Sequence, residues 1–225
     1  MGLTGLVVSM AWLRWQPRKP LLASTEPGLQ GLAVSSLMQR LESADASWTP
    51  RKQVFADGRI RYTYKRRNGD PPLTLPQIRQ LMVNPPRFTR ERASITALLA
   101  VLDQAGVQVQ LRPPRRSGAT GEWDPNAGAL RIRPRTVAAG SAAFATVLNH
   151  EAIHVAQSCR RGSLRAVPKL LGLGQQLPQP LKTILQQPVY QSAGSLERQL
   201  EREAYANQHR LELGVALVRR HCRLG

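Results

Sequence analysis

The segment AAFATVLNHEAIHVAQSC, residues Ala142–Cys159, predicts a mostly apolar helix that lies in or beside the core. It contains the motif His150-Glu151-Ala152-Ile153-His154. Residues four positions apart lie on the same face of a helix, so the two imidazoles stand side by side, close enough to hold one metal ion. The alternative is a helix with two hydrogen-bonded surface histidines. The apolar neighbours disfavour it, because a buried His-Glu-His set without a metal would be costly.

A catalytic zinc site needs a third protein ligand and one position for water. The best candidates for that ligand are the glutamates of residues 195–208, a segment predicted to be a helix with Ser195 at its N-cap. His209 and His221 are the other two of the chain's four histidines.

The motif resembles the gluzincin class of zinc metallopeptidases, in which HExxH on one helix is joined by a glutamate ligand on a later helix. In that class a small residue often follows the glutamate three positions on, and Asp or Asn four positions on. Glu203, Ala206 and Asn207 match this pattern. The resemblance implies Zn²⁺ as the cofactor and assigns the site residues as follows: His150, His154 and Glu203 as metal ligands, Glu151 as the general base, and Asn207 as the residue that orients one histidine.

Glu201 is the rival third ligand, because Ala204 stands three residues after it. Tyr205 then occupies the position of the orienting residue, which fits the pattern less well. Glu201 and Glu203 point to different faces of a regular helix, so only one of them can be the ligand.

The pattern of the chain predicts an α+β fold. Its core elements are a helix over 89–104, a strand over 107–111, a β-hairpin over 121–133 and the helix over 142–159. The resemblance implies a minimal zincin-like core with a small antiparallel sheet, the HExxH helix and a long C-terminal helix. In minimal zinc peptidases the strand before that helix lies along the cleft and pairs with an extended substrate. An ordinary edge strand is the alternative.

We divide the chain into an apolar and basic tail with a linker over residues 1–28, a helix and hairpin region over 29–86, and the metallopeptidase core over 87–225. The middle region is predicted to contain a helix over 29–43, a hairpin over 53–64 with Asp57-Gly58 at its turn, and a helix over 75–82. The sequence has no P-loop and no Gly-rich dinucleotide fingerprint, which argues against nucleotide-binding classes.

The formal net charge is +18, from 32 Lys and Arg against 14 Asp and Glu among 225 residues. Such a charge favours nucleic acid, an anionic membrane or an acidic protein as partner. A basic but inert solvated surface is the alternative. Charge alone therefore names a class of partners and no individual one.

The two cysteines, Cys159 and Cys222, do not make a disulfide framework. We expect two free buried thiols in a reducing compartment, with a single bridge as the alternative.

The apolar stretch Gly2–Leu13 is shorter than the ~20 residues that span a bilayer. It has no basic region ahead of it, which disfavours a secretory signal. We predict a cytoplasmic protein. The alternative is a protein that this stretch holds peripherally at a membrane surface.

These features predict a zinc-dependent peptidase that acts on a peptide or protein substrate. The oxyanion requires a further stabilising group, for which Tyr190, Tyr205 and His209 are the candidates. The alternative function is a polyanion-binding protein whose zinc site is structural or vestigial.

Overall fold

The structure is a computed structural model that describes residues 32–66, 70–187, 190 and 193–225. Its helices are α1 (Leu32–Ala46), α2 (Leu75–Val83), α3 (Thr89–Gln104), α4 (Arg135–Ala139), α5 (Ser141–Cys159), α6 (Ser195–Asn207) and α7 (Leu213–His221). Its strands are β1 (Arg51–Val54), β2 (Ile60–Thr63), β3 (Gln108–Leu111), β4 (Gly121–Asp124) and β5 (Ala129–Ile132). Single 3₁₀ turns cover Gln179–Leu181 and Ile184–Gln186. The predicted α+β class is confirmed.

Local chemistry explains several helix boundaries. The Thr74 side chain accepts a hydrogen bond from the Gln77 backbone at the start of α2, and the Gln77 side chain accepts one from the Thr74 backbone. This reciprocal pair satisfies two N–H groups that the first turn leaves without helical partners. Gly106 adopts a φ of 75° just after α3, a conformation that glycine reaches without strain.

The core sheet has three strands in the order β3-β5-β4. β4 and β5 form the predicted antiparallel hairpin, with Trp123 opposite Leu130. β5 runs parallel to β3, so the expectation of a purely antiparallel sheet is wrong. The reason is topological: the chain passes from β3 to the far edge, forms β4, and returns through the hairpin to insert β5 between them.

Helix α5 lies at the centre of the molecule and is buried along nearly its whole length, as expected for a helix that is apolar on most sides. Its side chains pack with those of α3, α7 and the sheet in one main core, which includes Leu98, Leu130, Phe144 and Leu148. Leu37 and Leu41 of α1 belong to the same core. The boundary proposed between residues 86 and 87 stays a prediction.

The expected long C-terminal helix is two helices, α6 and α7. Asn149 of α5 explains the break, because its amide nitrogen donates to the carbonyls of Gln208 and Arg210, at 2.8 and 3.2 Å. Its amide oxygen accepts from the N–H of Gly214 at 2.9 Å. These bonds satisfy backbone groups that an uninterrupted helix would have paired internally.

Cys159 and Cys222 form a disulfide, so the expectation of two free thiols is wrong. The bridge joins the last residue of α5 to the residue that follows α7, and their Cα atoms lie 4.9 Å apart. The two helices pack side by side and bring their ends to the same level. The argument from free thiols therefore no longer supports the cytoplasmic placement, which stays a prediction.

Removing this disulfide is expected to lower the free energy of unfolding by about 2–4 kcal/mol, because the bridge restricts the unfolded chain. Urea titration of the wild type with and without dithiothreitol measures the difference. The double variant Cys159→Ala, Cys222→Ala is the control and should be insensitive to the reductant. Two thiols that react in the unreduced, unfolded wild type would contradict the bridge.

Among the residues that the structure describes, every helix is too short or too polar to span a bilayer. The tail and linker assigned to residues 1–28, including Gly2–Leu13, lie outside the described residues.

Candidate metal centre

Two imidazoles and one carboxylate converge beside α5. The Nε2 atoms of His150 and His154 are 2.9 Å apart. Oε2 of Glu201 lies 3.4 Å from the first of them and 3.7 Å from the second. All three side chains are at most 1% exposed. Within the described chain, these residues form a group that can hold a metal ion.

Helix α6 packs on α5, and this packing places Glu201 beside the two histidines. Ala204 of α6 packs with Ile153 and Ala156 of α5, so that two small side chains bring the helices close together. Tyr205 lies one turn after Glu201, and its ring centroid is 4.5 Å from that of His150. The face of α6 that carries Glu201 and Tyr205 is therefore the face turned toward the histidines.

Glu203 does not reach the histidines, and Glu201 takes the place beside them that the resemblance assigned to Glu203. Its carboxylate accepts hydrogen bonds from the backbone N–H groups of Leu171 and Leu173, at 2.9 and 2.8 Å. It also accepts one from Nε2 of Gln157 at 2.8 Å. Two residues along a helix correspond to a rotation of roughly 200°, which turns Glu203 to the opposite side. There it fastens the segment around Leu171 to α5 and α6.

Asn207 does not orient a histidine either. Its amide nitrogen donates to the carbonyls of Gly174 and Glu203, both at 2.8 Å. The orienting role that the resemblance assigned to it falls to two glutamines that sequence reasoning missed. The contact of Gln157 with His154 could have been predicted from the sequence, because the two residues are three positions apart on one helix and therefore lie on the same face.

Gln157 fixes the tautomer of His154. Its Nε2 donates to the Leu200 carbonyl at 3.2 Å and to the Glu203 carboxylate, two groups that accept hydrogen bonds. Its Oε1 must therefore be the atom that faces Nδ1 of His154, at 2.7 Å. Nδ1 then carries the proton, and the lone pair of Nε2 is directed at the centre.

Gln208 does the same for His150, with Oε1 placed 3.1 Å from Nδ1. Burial lowers the pKa of His150 to about 4, so its imidazole is neutral, which is the form that binds metals. Burial alone would raise the pKa of Glu201. When the imidazoles carry protons on Nε2, the charge of His154 and the hydrogen bonds from both rings outweigh that effect and lower the pKa of Glu201 to about 2. A metal ion would take the place of those protons.

The arrangement fits a small divalent cation. Two lone pairs and a carboxylate oxygen that share one point repel each other unless a positive charge lies between them. Tetrahedral zinc with bonds of about 2.0–2.1 Å needs ligand atoms roughly 3.3 Å apart. The observed separations of 2.9, 3.4 and 3.7 Å scatter around that value, and small side-chain movements would equalise them.

Glu151 lies beside the ligand group and outside it. Its carboxylate accepts a hydrogen bond from the backbone N–H of Trp123 in β4. Its other oxygen, Oε1, is buried and has no hydrogen-bond partner among the described residues. Burial raises its pKa well above the usual range, and the negative charges of Glu201 and Glu122 add to that effect. A carboxylate in this environment has a high affinity for a proton.

Because Gly121 of β4 has no side chain, it leaves the space that the Glu151 carboxylate occupies. A Cβ atom at Gly121 would lie 2.5 Å from Oε1 of Glu151 and 2.8 Å from Cγ1 of Val147. Gly121 is thus the residue that allows strand β4 to approach the motif so closely.

The variant Gly121→Ala is expected to displace the Glu151 carboxylate and to lower the free energy of unfolding by about 1–3 kcal/mol, through overpacking. Metal content should stay unchanged, because the atoms nearest to this position belong to Glu151 and Val147. Urea titration and elemental analysis measure the two effects. Gly174→Ala is the matched control, since a Cβ there meets no atom within 4 Å. Equal stability of the two variants would contradict the close approach.

Strand β4 is an edge of the sheet and is fixed against α5. Nε1 of Trp123 donates to Oγ of Ser158 at 3.0 Å. On the other face, the carboxylates of Glu122 and Asp124 contact the Arg131 guanidinium at 3.3 and 3.1 Å. Pairing of a substrate with this edge stays a prediction, and Glu151 already binds the Trp123 N–H.

Of the three candidates for an oxyanion-stabilising group, Tyr190 contacts the Glu201 carboxylate. Its hydroxyl is 3.3 Å from Oε2 of Glu201 and 2.8 Å from the Tyr205 hydroxyl. Nε2 of His209 is 3.4 Å from Nε2 of Gln208.

Comparison of the chain with protein-family models, with curated proteins and with solved structures found no match.

Proposed function

We propose that this protein is a zinc-dependent peptidase in which His150, His154 and Glu201 hold the metal and Glu151 is the general base. The observation that carries the proposal is the convergence of two Nε2 lone pairs and one carboxylate oxygen, with a second carboxylate beside them that is not a ligand. The motif's resemblance to gluzincins supports the same reaction.

The donor set favours a catalytic site over a structural one. Structural zinc sites are closed by four protein ligands, mostly cysteines, whereas catalytic sites use three and keep a position for water. The cysteines of this chain are bonded to each other. His150, His154 and Glu201 would hold the zinc ion, which would lower the pKa of water and polarise a carbonyl group.

The protein's own groups supply the proton transfers. The ionised Glu151 carboxylate accepts a proton from the attacking water through its buried Oε1, which has no hydrogen-bond partner among the described residues, and it returns that proton to the leaving amine. The Tyr190 hydroxyl, held near Glu201 and Tyr205, donates a hydrogen bond to the substrate's carbonyl oxygen as negative charge develops there.

The site is enclosed, so a covering segment must move before a peptide can enter. His150, Glu151, His154 and Glu201 are each at most 1% exposed. The Arg116 guanidinium lies 5.9 Å from the ring centroid of Tyr190 and pairs with Glu197 of α6 at 3.1 Å. This pair links the loop before β4 to the first turn of α6, and we expect its opening to limit turnover.

The experiment is cleavage of a mixed peptide library by the zinc-loaded protein, with the products identified by mass spectrometry. We expect new termini that disappear with a chelator and return when zinc is added. Glu201→Ala, purified in the same way, controls for a contaminating protease. A wild type that holds zinc but cleaves nothing would contradict the proposal and favour the alternative, a polyanion-binding protein with a structural zinc ion.

A further inference from the structure

The ends of α5 and α7 carry a cluster of exposed arginines. The disulfide between Cys159 and Cys222 joins these two helix ends, with the Cα atoms of the bridge 4.9 Å apart. Six arginines lie close to the bridge in the sequence, and all six are exposed. This arginine cluster consists of Arg160, Arg161, Arg165, Arg219, Arg220 and Arg223.

Contacts in the structure place the two segments of the arginine cluster on one surface. Arg165 follows α5 and Arg223 follows α7, yet both line the same open cleft of about 300 Å³, together with both cysteines of the bridge. His221 also lies close to both segments. Burial lowers its pKa, and the positive charges of Arg220 and Arg160 add to that effect. The guanidinium groups that follow the two helices therefore share one positively charged surface.

No acidic residue near the arginine cluster in the sequence offsets its charge. The chain has no Asp or Glu between Glu151 and Glu197, and none after Glu212. Like charges on one surface repel each other, so an anionic partner that neutralises them is favoured. The dipole of α7 stabilises cations in its last turn, which accounts for Arg219 and Arg220. It does not account for the arginines beyond the ends of the helices.

The side chains around the arginine cluster select among anionic partners. Within residues 159–166 and 218–225, all of which the structure describes, Leu224 is the only exposed large apolar side chain, at 41%. Protein interfaces and membrane contacts need more extensive apolar anchors. The same residues include no Phe, Tyr or Trp, on which the bases of a single strand would stack. The remaining chemistry is that of arginine, whose planar guanidinium group binds phosphate through two parallel hydrogen bonds.

We propose that the arginine cluster binds the phosphate backbone of a nucleic-acid duplex without reading its sequence. Guanidinium groups from both helix ends contact phosphates, and the cleft that Arg165 and Arg223 line receives one of them. Release of counterions from the duplex supplies the binding free energy. The HExxH motif ends at His154, within α5, whereas the arginine cluster begins after the last residue of that helix. Binding of the duplex therefore goes beyond the proposed peptidase activity and does not depend on it.

The test measures binding of a fluorescent DNA duplex of mixed sequence to the full-length protein by anisotropy, over a range of salt concentrations. We expect the logarithm of the binding constant to fall linearly with the logarithm of the salt concentration. The double variant Arg165→Gln, Arg223→Gln should bind about tenfold or more weakly, and its slope should be smaller by about 2, because each phosphate contact contributes about 0.9. A duplex of unrelated sequence should bind equally well to the wild type.

The matched control is the double variant Arg51→Gln, Arg61→Gln, which removes two exposed arginines of the β1–β2 hairpin and should change affinity and slope much less. Zinc content and circular dichroism show that each variant is folded. The proposal is overturned if the Arg165 and Arg223 changes leave duplex binding as it is in the wild type, or if the hairpin variant loses as much affinity. It is also overturned if the wild type binds single-stranded DNA or phosphatidylglycerol vesicles but not the duplex. None of these outcomes depends on peptidase activity.

Discussion

Glu201→Ala purified under metal-replete conditions is expected to contain little or no zinc, whereas Glu203→Ala keeps a full complement. Glu201 supplies the carboxylate oxygen that faces both imidazoles, at 3.4 and 3.7 Å. Two histidines alone do not make a tight zinc site. The loss of affinity should exceed the roughly 10–100-fold that removal of an orienting residue costs. Competition with a chromophoric chelator measures the affinity of each variant.

Glu203→Ala is the matched control, because it removes a glutamate of the same helix that is just as buried. Its loss leaves the N–H groups of Leu171 and Leu173 without their acceptor and should lower the free energy of unfolding by about 1–3 kcal/mol. Gln157 also loses a partner, so a modest weakening of zinc binding is expected through His154. Zinc that is lost from Glu203→Ala and kept by Glu201→Ala would show the ligand assignment to be wrong.

Glu151→Gln is expected to retain zinc and the fold and to lose peptidase activity by a factor of roughly a hundred or more, the scale of general-base contributions. Glutamine keeps the size of the side chain and can still accept the hydrogen bond from the Trp123 N–H, but it cannot take up a proton. Single-turnover cleavage of a library peptide, together with elemental analysis, separates the chemical step from metal binding.

The controls for Glu151→Gln are the wild type with chelator and the variant Gly174→Ala, which leaves the site unchanged. Equal cleavage by the wild type and Glu151→Gln would contradict the role of Glu151 and indicate a contaminating enzyme. A variant that loses zinc would show that Glu151 contributes to metal binding.

Local patterns were enough to predict the α+β class, the helices α3 and α5, and the β4–β5 hairpin. Each of these depends on periodicity or turn residues within a short segment. The position of His150 beside His154 follows from helix geometry alone. The placement of Glu151 outside the ligand group agrees with the role that the motif implies.

The glutamate that faces the histidines could not be predicted, because both sides of α6 are buried. Glu201 faces the histidines, and Glu203 faces the segment around Leu171, so neither exposure nor hydrophobic pattern separates them. Gln208 belongs to the turn after α6, and its approach to His150 depends on how Asn149 breaks the C-terminal helix. These contacts join distant parts of the chain, and a single sequence contains no local signal for them.

The sheet order and the disulfide were missed for the same reason. In the observed order, β5 lies between β3 and β4. The sequences of the three strands are equally compatible with the sequential order β3-β4-β5. The bridge between Cys159 and Cys222 requires the ends of α5 and α7 to meet, across a sequence separation of 63 residues.

X-ray absorption at the zinc edge of the purified wild type tests the central claim most directly. We predict one zinc ion per chain, with nitrogen and oxygen neighbours at about 2.0–2.2 Å, an imidazole signature from two histidines, and no sulfur shell near about 2.3 Å. The zinc signal should be largely lost in Glu201→Ala. A protein that purifies without zinc and cannot be reloaded, or a spectrum with a sulfur neighbour, would contradict the assignment of His150, His154 and Glu201 as the metal site.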